Sequence, residues 1–189
     1  MAIKFKLHPQ KAVEVAAMFL KLHEQPMHHL GLLKLLYMAD RSSLGKLGTP
    51  VTGDFYVSMP KGPVLSGVYD LIKRQAIPEI SEALTIWSEY VSPIQNHKVR
   101  LLSDPGTDEL CENDEDIIHE VYSKRGHLDR FELVEITHQF PEWQDPHGSS
   151  IPIKVEDILK YVGKKPKEIE AIQRDAEHEL YLDRILSYA

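Results

Sequence analysis

Residues 29–44 read HLGLLKLLYMADRSSL, and this stretch decides the fold. Its apolar residues surround nearly the whole helical circumference, a distribution typical of a helix that is buried on most sides. We therefore expect this segment to be the central helix of the protein. Within it Leu30, Leu33, Tyr37, Asp40 and Leu44 follow a 3-4-3-4 spacing, which places one carboxylate in an otherwise apolar seam.

Asp40 needs partners, because an unpaired charge in this seam would be costly to bury. We expect its carboxylate to accept hydrogen bonds from the loop after the helix, or to pair with a cation such as Arg41 or Lys61. Two interpretations stay open at this point. Asp40 is either a buried structural carboxylate or a functional one.

The other hydrophobic patterns predict a mainly α fold, a compact helical domain around this buried central helix with a small antiparallel β element. Phe55, Val57 and Met59 alternate with their neighbours as in a short strand, and the alternating run from His97 to Ser103 is its expected partner. Gly62 and Pro63 are expected to open a helix that ends near Gln75. Further helices are predicted after Pro9, from Glu79 to Tyr90, from Asn113 to Arg125, from Asp129 to Gln139, from Val155 to Val162, and from Pro166 to about Ser187.

Composition limits the class of protein. The 189 residues are 42% hydrophobic, enough for a sizeable core, and no repeat or long linker divides them, so we expect a single domain over 1–189. A net charge of −7 argues against electrostatic binding of nucleic acid. No run approaches the roughly 20 apolar residues of a membrane span. The single cysteine, Cys111, excludes a disulfide framework, and we expect a cytoplasmic protein.

The spacing of reactive residues does not match the common catalytic motifs. His23-Glu24 is followed by Met27 where a His-Glu-x-x-His zinc motif needs a second histidine. His28 and His29 diverge by about 100° on a helix, so we interpret them as capping or surface residues. Glycine loops that cradle phosphate, GxGxxG or GxxxxGK[ST], are missing from the sequence. We therefore expect no catalytic, cofactor or metal site.

One family resemblance extends along most of the chain. It is carried by the strings KLLYMADR at 34–41, PVTGD at 50–54, KGPVL at 61–65 and THQ at 137–139, together with Tyr56-Val57, Val68-Tyr69, Glu142-Trp143 and the segment from Ile153 to Leu159. In order and spacing these strings resemble the signature of the Panacea (SocA-like) antitoxin domain. The resemblance covers roughly residues 10–162. The combination of KLLY-x-A-D-R, GPV and H-x-x-x-x-W is its most specific part.

The resemblance implies a mostly helical antitoxin of a bacterial or prophage type II toxin–antitoxin system. Such a protein is not an enzyme and neutralises its cognate protein toxin by direct contact. Toxins of the family include small alarmone-synthetase-like proteins, and one member is an adaptor that delivers its toxin to a protease. The family-motif residues are expected to be mainly structural, and they are Lys34, Tyr37, Asp40, Arg41, Gly62, Pro63, Val64, Tyr69, His138 and Trp143. An alternative is a small hydrolase or transferase that uses Asp40, His138 and Tyr37 for acid–base chemistry.

The C-terminal helix carries more apolar surface than one docking face needs. Ile169, Ile172, Ala176 and Leu180 form one stripe that is expected to pack on the domain. The additional apolar residues are expected to contact a toxin or a second copy of the chain, because aromatic residues flanked by aliphatic ones are common in interfaces. The candidate partner-binding residues are Tyr56, Lys61, Tyr181, Ile185 and Tyr188.

Overall fold

The computed structural model describes residues 2–24, 26–75 and 77–186. Its helices are α1 (Pro9–His23), α2 (His29–Leu47), α3 (Ser66–Lys73), α4 (Ser81–Tyr90), α5 (Glu112–Arg125), α6 (Arg130–His138), α7 (Val155–Tyr161) and α8 (Pro166–Leu186). Its strands are β1 (Met27–His28), β2 (Tyr56–Met59), β3 (Gly62–Leu65), β4 (Lys98–Val99) and β5 (Ile151–Ile153), and a 3-10 turn spans Pro78–Ile80. The predicted mainly α class with a small antiparallel β element is confirmed.

The predicted central helix is α2. All residues from Leu30 to Asp40 are buried, and the helix continues three residues beyond the predicted end, to Leu47. Gly48 then ends it in the left-handed conformation, with φ of 81°, which glycine adopts without the penalty of a side chain. Helices α1, α5, α6 and α7 and strand β3 pack against α2, so its apolar circumference is covered on several sides.

The predicted pairing of the two alternating segments is wrong. Strand β2 pairs with β3 on one side and with β5 on the other, in the order β3-β2-β5, and both pairings are antiparallel. Residues 97–103 contribute β4 instead, which pairs with β1 through Met27 opposite Val99. Period-2 alternation identifies strands, but it carries no information on which strand is the neighbour.

Gly62 and Pro63 lie in strand β3, so the prediction that they open a helix is also wrong. Every residue of β3 is buried, and a strand buried on both faces has no polar alternation that would distinguish it. Pro63 is tolerated because β3 is an edge strand and needs no backbone donor on its free side. The helix after it, α3, begins at Ser66 and ends at Lys73.

The remaining helices agree with the predicted ones to within a few residues at each end. Helix α5 begins at Glu112 rather than at Asn113, and Cys111 precedes it as the capping residue, with the Asp114 side chain returning to the backbone nitrogen of Cys111. Helix α8 packs on α7, and within α8 only Ala176 is fully buried among the residues that the structure describes. Of the helices in these residues, none has the length and apolarity that crossing a bilayer requires.

Candidate functional site

Asp40 lies in the C-terminal half of α2 and is completely buried, and its carboxylate is surrounded by hydrogen-bond donors. It accepts hydrogen bonds from the backbone nitrogens of Val51 (3.1 Å) and Thr52 (2.9 Å), from the Thr52 hydroxyl (2.7 Å) and from the Tyr56 hydroxyl (3.1 Å). The expected contact with the following loop is thereby confirmed. Burial raises the pKa of Asp40 to about 6, and the hydrogen bonds from Thr52 and Tyr56 oppose that rise.

Tyr56 was expected at a partner surface, and the structure places it in the core. Tyr56 is 2% exposed, and its hydroxyl donates a hydrogen bond to Asp40. Its ring meets that of Tyr37 edge-on, with 5.9 Å between the ring centroids. A side chain in this position stabilises the loop and cannot reach a partner in this conformation.

Glu142 is the partner of the cation next to Asp40. The Arg41 Nε atom donates to Glu142 Oε1 at 2.6 Å, and the Tyr37 hydroxyl donates to the same oxygen at 2.9 Å. The Arg41 guanidinium also lies over the ring of Phe140, 4.2 Å from its centroid. The buried Glu142 carboxylate thus connects the segment after α6 to α2. This contact gives the glutamate before Trp143 a structural role.

His138 and Trp143 form a stacked pair beside the three-stranded sheet. Their ring centroids are 4.1 Å apart, and the Trp143 Nε1 atom donates to the backbone oxygen of Met59 at 3.0 Å. The His138 Nε2 atom is buried and has no hydrogen-bond partner among the described residues. An Asp–His enzyme would need both residues at an open pocket, and Asp40 is closed to solvent.

Lys34 and the Gly62-Pro63 dipeptide meet where α2 faces β3. Lys34 is fully buried, and its Nζ atom donates to the backbone oxygen of Pro63 at 2.9 Å. Gly62 has φ of 89°, and a Cβ at this position would lie 2.5 Å from Thr137 Oγ1 and 3.0 Å from Lys34 Nζ. Glycine is therefore required here by both the backbone angle and the lack of space.

A cavity of about 530 Å³ opens above this contact, and we call it the basic cavity. It lies where the start of α2, the turn between β2 and β3, helix α3 and the start of α6 meet. The motif residues Lys34, Gly62, Val64 and Tyr69 line it, and so does Lys61, a candidate partner-binding residue. It also contains residues that the sequence analysis did not single out, and these include Lys73, His97, Arg130 and Phe131.

Three histidines meet at the edge of the basic cavity. Ligand atoms of His28, His29 and His97 lie within 4.8 Å of one another, a cluster that sequence reasoning missed because 68 positions separate His29 from His97. The pairing of β1 with β4 brings them together. As expected, His28 is a capping residue, since its Nδ1 atom accepts a hydrogen bond from the Leu30 nitrogen.

Three imidazoles at this distance could hold a transition metal, but the protonation of His28 is unfavourable for it. A neutral His28 whose Nδ1 accepts a hydrogen bond carries its proton on Nε2, and then offers no free lone pair. His29 differs, because its Nδ1 donates to the His97 carbonyl at 2.8 Å and leaves Nε2 free. Burial, and to a smaller extent the nearby Arg130, lower the pKa of His28 to about 4, so the imidazole is neutral.

The C-terminal half of α8 exposes an apolar surface. The stripe predicted to pack inward does so in part, with Ala176 buried and Ile169 and Ile172 partly buried against the core. The large apolar residues of the last two turns are exposed, and these are Tyr181, Leu182, Ile185 and Leu186. Tyr188 lies outside the described residues.

These features define a mainly helical protein in which one central helix gathers motif residues from distant segments. A family model described as antitoxin SocA-like, Panacea domain, matches residues 32–144, more than half of the chain. The chain therefore belongs to this family. The matched region lies inside the 10–162 that the motifs predicted, and it contains α2 from residue 32 onward, the β2–β3 hairpin and Glu142-Trp143. Comparisons with curated proteins and with solved structures gave no match.

Proposed function

We propose that the protein is the antitoxin of a type II toxin–antitoxin pair and that it neutralises its cognate toxin by direct protein contact. Membership of the SocA-like antitoxin family is the observation that carries this proposal. The state of the motif carboxylates supports binding rather than catalysis. Asp40 is saturated by four donors, and Glu142 is held by Arg41 and Tyr37, so neither carboxylate is free for acid–base chemistry.

The apolar end of α8 is our candidate for the toxin-binding surface. Tyr181, Leu182, Ile185 and Leu186 are exposed within two helical turns, and such concentrations of large apolar residues mark interaction surfaces. The same surface could join two copies of the chain, so the oligomeric state has to be measured alongside toxin binding. Since Cys111 is a free thiol, we place the protein in the cytoplasm, where thiols stay reduced.

Coexpression tests the proposal. The gene beside this one should encode a growth-inhibiting protein, and coexpression of the two should restore growth. The two proteins should also copurify through an affinity tag on either one. A control coexpression with an unrelated toxin should not restore growth.

Two outcomes would contradict direct binding. If growth returned without a complex, while the product of the toxin was chemically reversed, the protein would be an enzymatic antitoxin. If the toxin disappeared from the cell only when a protease was present, the protein would be an adaptor for degradation. Toxin levels measured in protease-deficient cells distinguish the second outcome from inhibition by binding.

A further inference from the structure

The basic cavity has a charge opposite to that of the whole protein. The chain carries −7 overall, yet four cations line this one cavity, from α2, the β2–β3 turn, α3 and α6, and they are Lys34, Lys61, Lys73 and Arg130. No aspartate or glutamate lines it among the residues that the structure describes. Such a concentration of one sign of charge in a concave site attracts a ligand of the opposite sign.

Lys34 has no counter-charge. Its side chain is completely buried, and the backbone oxygen of Pro63 is the acceptor that its ammonium group contacts. An ammonium has three donors, so two remain for a further partner. Two other cations with little exposure do have an anionic partner, Arg41 in Glu142 and Lys11 in Asp114. A buried ammonium without an anion is costly, and burial accordingly lowers the pKa of Lys34 to about 7, so an anionic ligand nearby would favour its charged form.

Two aromatic rings accompany these cations. The Lys73 Nζ atom lies 5.8 Å from the centroid of the Tyr69 ring, and the Arg130 guanidinium lies 4.5 Å from the centroid of the exposed Phe131 ring. The apolar side chains of Leu33 and Val64 add to the lining. Cations beside aromatic and aliphatic surface suit a ligand that has both a charged group and an apolar or ring-shaped part.

The start of α2 adds polar hydrogens and positive potential. The His28 Nε2–H is a donor at the cavity, because its Nδ1 accepts from Leu30. Helix α2 begins beside the cavity at His29, and the N-terminal end of a helix dipole favours an anion. A divalent cation would meet the positive charges of Lys61, Lys73 and Arg130 and no carboxylate, which argues against the metal alternative at the histidine cluster.

We propose that the basic cavity binds a small organic phosphate, with the phosphate groups among Lys61, Lys73 and Arg130 above the buried Lys34, and with a ring against Tyr69 and Phe131. A volume of about 530 Å³ lies within the range of small-molecule sites. Nucleotides have this combination of charge and ring. The proposal concerns the isolated protein, and it does not depend on its being an antitoxin.

Calorimetric titration of the purified full-length protein tests it, with pyrophosphate, adenosine 5′-diphosphate and adenosine as probes. Both phosphates should bind saturably with one site per chain, and adenosine should bind at least about 100-fold more weakly because charge-assisted hydrogen bonds to phosphate dominate. Lys61→Gln with Lys73→Gln should weaken the diphosphate about tenfold or more. Phe131→Ala should weaken adenosine 5′-diphosphate and leave pyrophosphate unchanged.

Lys154→Gln with Lys160→Gln is the matched control. It removes the same charge from exposed positions outside the cavity, and Lys160 lies over Tyr161 at the same 5.8 Å as Lys73 over Tyr69. If the two double variants weakened phosphate binding equally, the effect would be one of net charge alone, and the proposal would be overturned. Failure of both phosphates to saturate up to about 10 mM would overturn it too.

Two further results would replace the organic phosphate by another occupant. Equal affinity for pyrophosphate and adenosine 5′-diphosphate, with no effect of Phe131→Ala, would leave an inorganic anion site and contradict the part of the proposal that concerns the ring. If neither phosphate bound and the toxin protected Lys61 and Lys73 from amine labelling, the cavity would receive an acidic segment of the toxin, and the proposal would be wrong.

Discussion

The Arg41 Nε atom lies 2.6 Å from the Glu142 Oε1 atom, although 101 positions of the chain separate the two residues. The Glu142 side chain is completely buried, whereas a fifth of the Arg41 side chain remains exposed. Since Tyr37 donates to the same carboxylate oxygen, one acidic side chain connects two turns of α2 to the segment that follows α6. This contact joins the KLLYMADR segment of the family motif to its Glu142-Trp143 segment.

Removing the cation should destabilise the fold. Arg41→Ala leaves Glu142 buried with Tyr37 alone, so we expect the free energy of unfolding to fall by about 3 kcal/mol, the lower end for a broken buried pair. Urea unfolding followed by circular dichroism measures it. Lys6→Ala is the control, because it breaks the exposed pair with Asp183 and should cost less than about 1 kcal/mol. Equal losses in the two variants would contradict a special contribution of Glu142.

Gly62→Ala should be destabilising for two reasons. The positive φ of Gly62 costs an alanine about 1–2 kcal/mol, and the added Cβ would displace Thr137 or Lys34 at a further ~1–3 kcal/mol. Gly148→Ala is the matched control, since Gly148 has φ of 91° but nothing within 4 Å of an added Cβ. Thermal unfolding of both variants should show the larger loss for Gly62→Ala. A similar loss in both would mean that the cost is conformational only.

Lys34→Met should stabilise the protein near pH 7 by roughly 1–4 kcal/mol, as is seen when buried charges are replaced by apolar residues. Burial lowers the pKa of Lys34 from 10.5 to about 7, so between these values the unfolded chain binds more protons than the folded one. Wild-type stability should therefore rise from pH 7 towards pH 10.5, and its deficit relative to Lys34→Met should shrink. Unfolding titrations at several pH values measure this difference.

Lys154→Met controls for the loss of a surface lysine and should show no such change in the difference with pH. If the difference in the free energy of unfolding between wild type and Lys34→Met stayed constant from pH 7 to pH 10, Lys34 would be paired with an anion in the folded protein.

Trp143→Ala should lower thermal stability, because the indole stacks on His138 and donates to the Met59 carbonyl. Trp143 is only partly buried, so we expect a loss of about 2–3 kcal/mol, below the roughly 3–5 kcal/mol of a fully buried ring. Trp143→Phe should recover part of it. Full stability of Trp143→Ala combined with loss of toxin neutralisation would place Trp143 in the toxin interface instead.

Tyr181→Ala with Ile185→Ala should abolish copurification of the toxin without changing the melting temperature. These side chains are 57% and 48% exposed, and Phe55→Ala with Leu102→Ala removes equally exposed apolar residues elsewhere, at 56% and 47%. The control pair should keep the toxin bound. Light scattering of both variants reports whether α8 joins two copies. Unchanged toxin binding and oligomeric state in the α8 variant would exclude this surface.

The central helix could be predicted because a helix buried on all sides has apolar residues around its whole circumference. The residues from Leu30 to Ala39 show this pattern. The partners of Asp40 could be predicted in kind, since a buried carboxylate demands donors and the next loop is the nearest source. The pairing of β2 could not be predicted. Its neighbour β3 contains Pro63 and has no polar alternation, and its other neighbour, Ile151–Ile153, lies more than 90 positions away.

The basic cavity was beyond sequence reasoning for a different reason. In the sequence, Lys61 is a candidate partner-binding residue and Tyr69 is a motif residue, but the function of a cation depends on which other charges surround it. Arg130 and His97 come from segments whose positions depend on the packing of α6 and on the β1–β4 pairing. A net charge of −7 gave no indication of a local concentration of positive charge.

The separation of Arg41 from Glu142 has a consequence for synthesis on the ribosome. At roughly 5–20 residues per second, about 5–20 s pass between the two residues, during which α2 has the Arg41 guanidinium but not the carboxylate that neutralises it. Strand β5 emerges later still, so the sheet edge of β2 that it covers stays open until then. The nascent chain is therefore most exposed to proteases and to misassembly before residue 153 appears, because the native packing of the sheet requires β5.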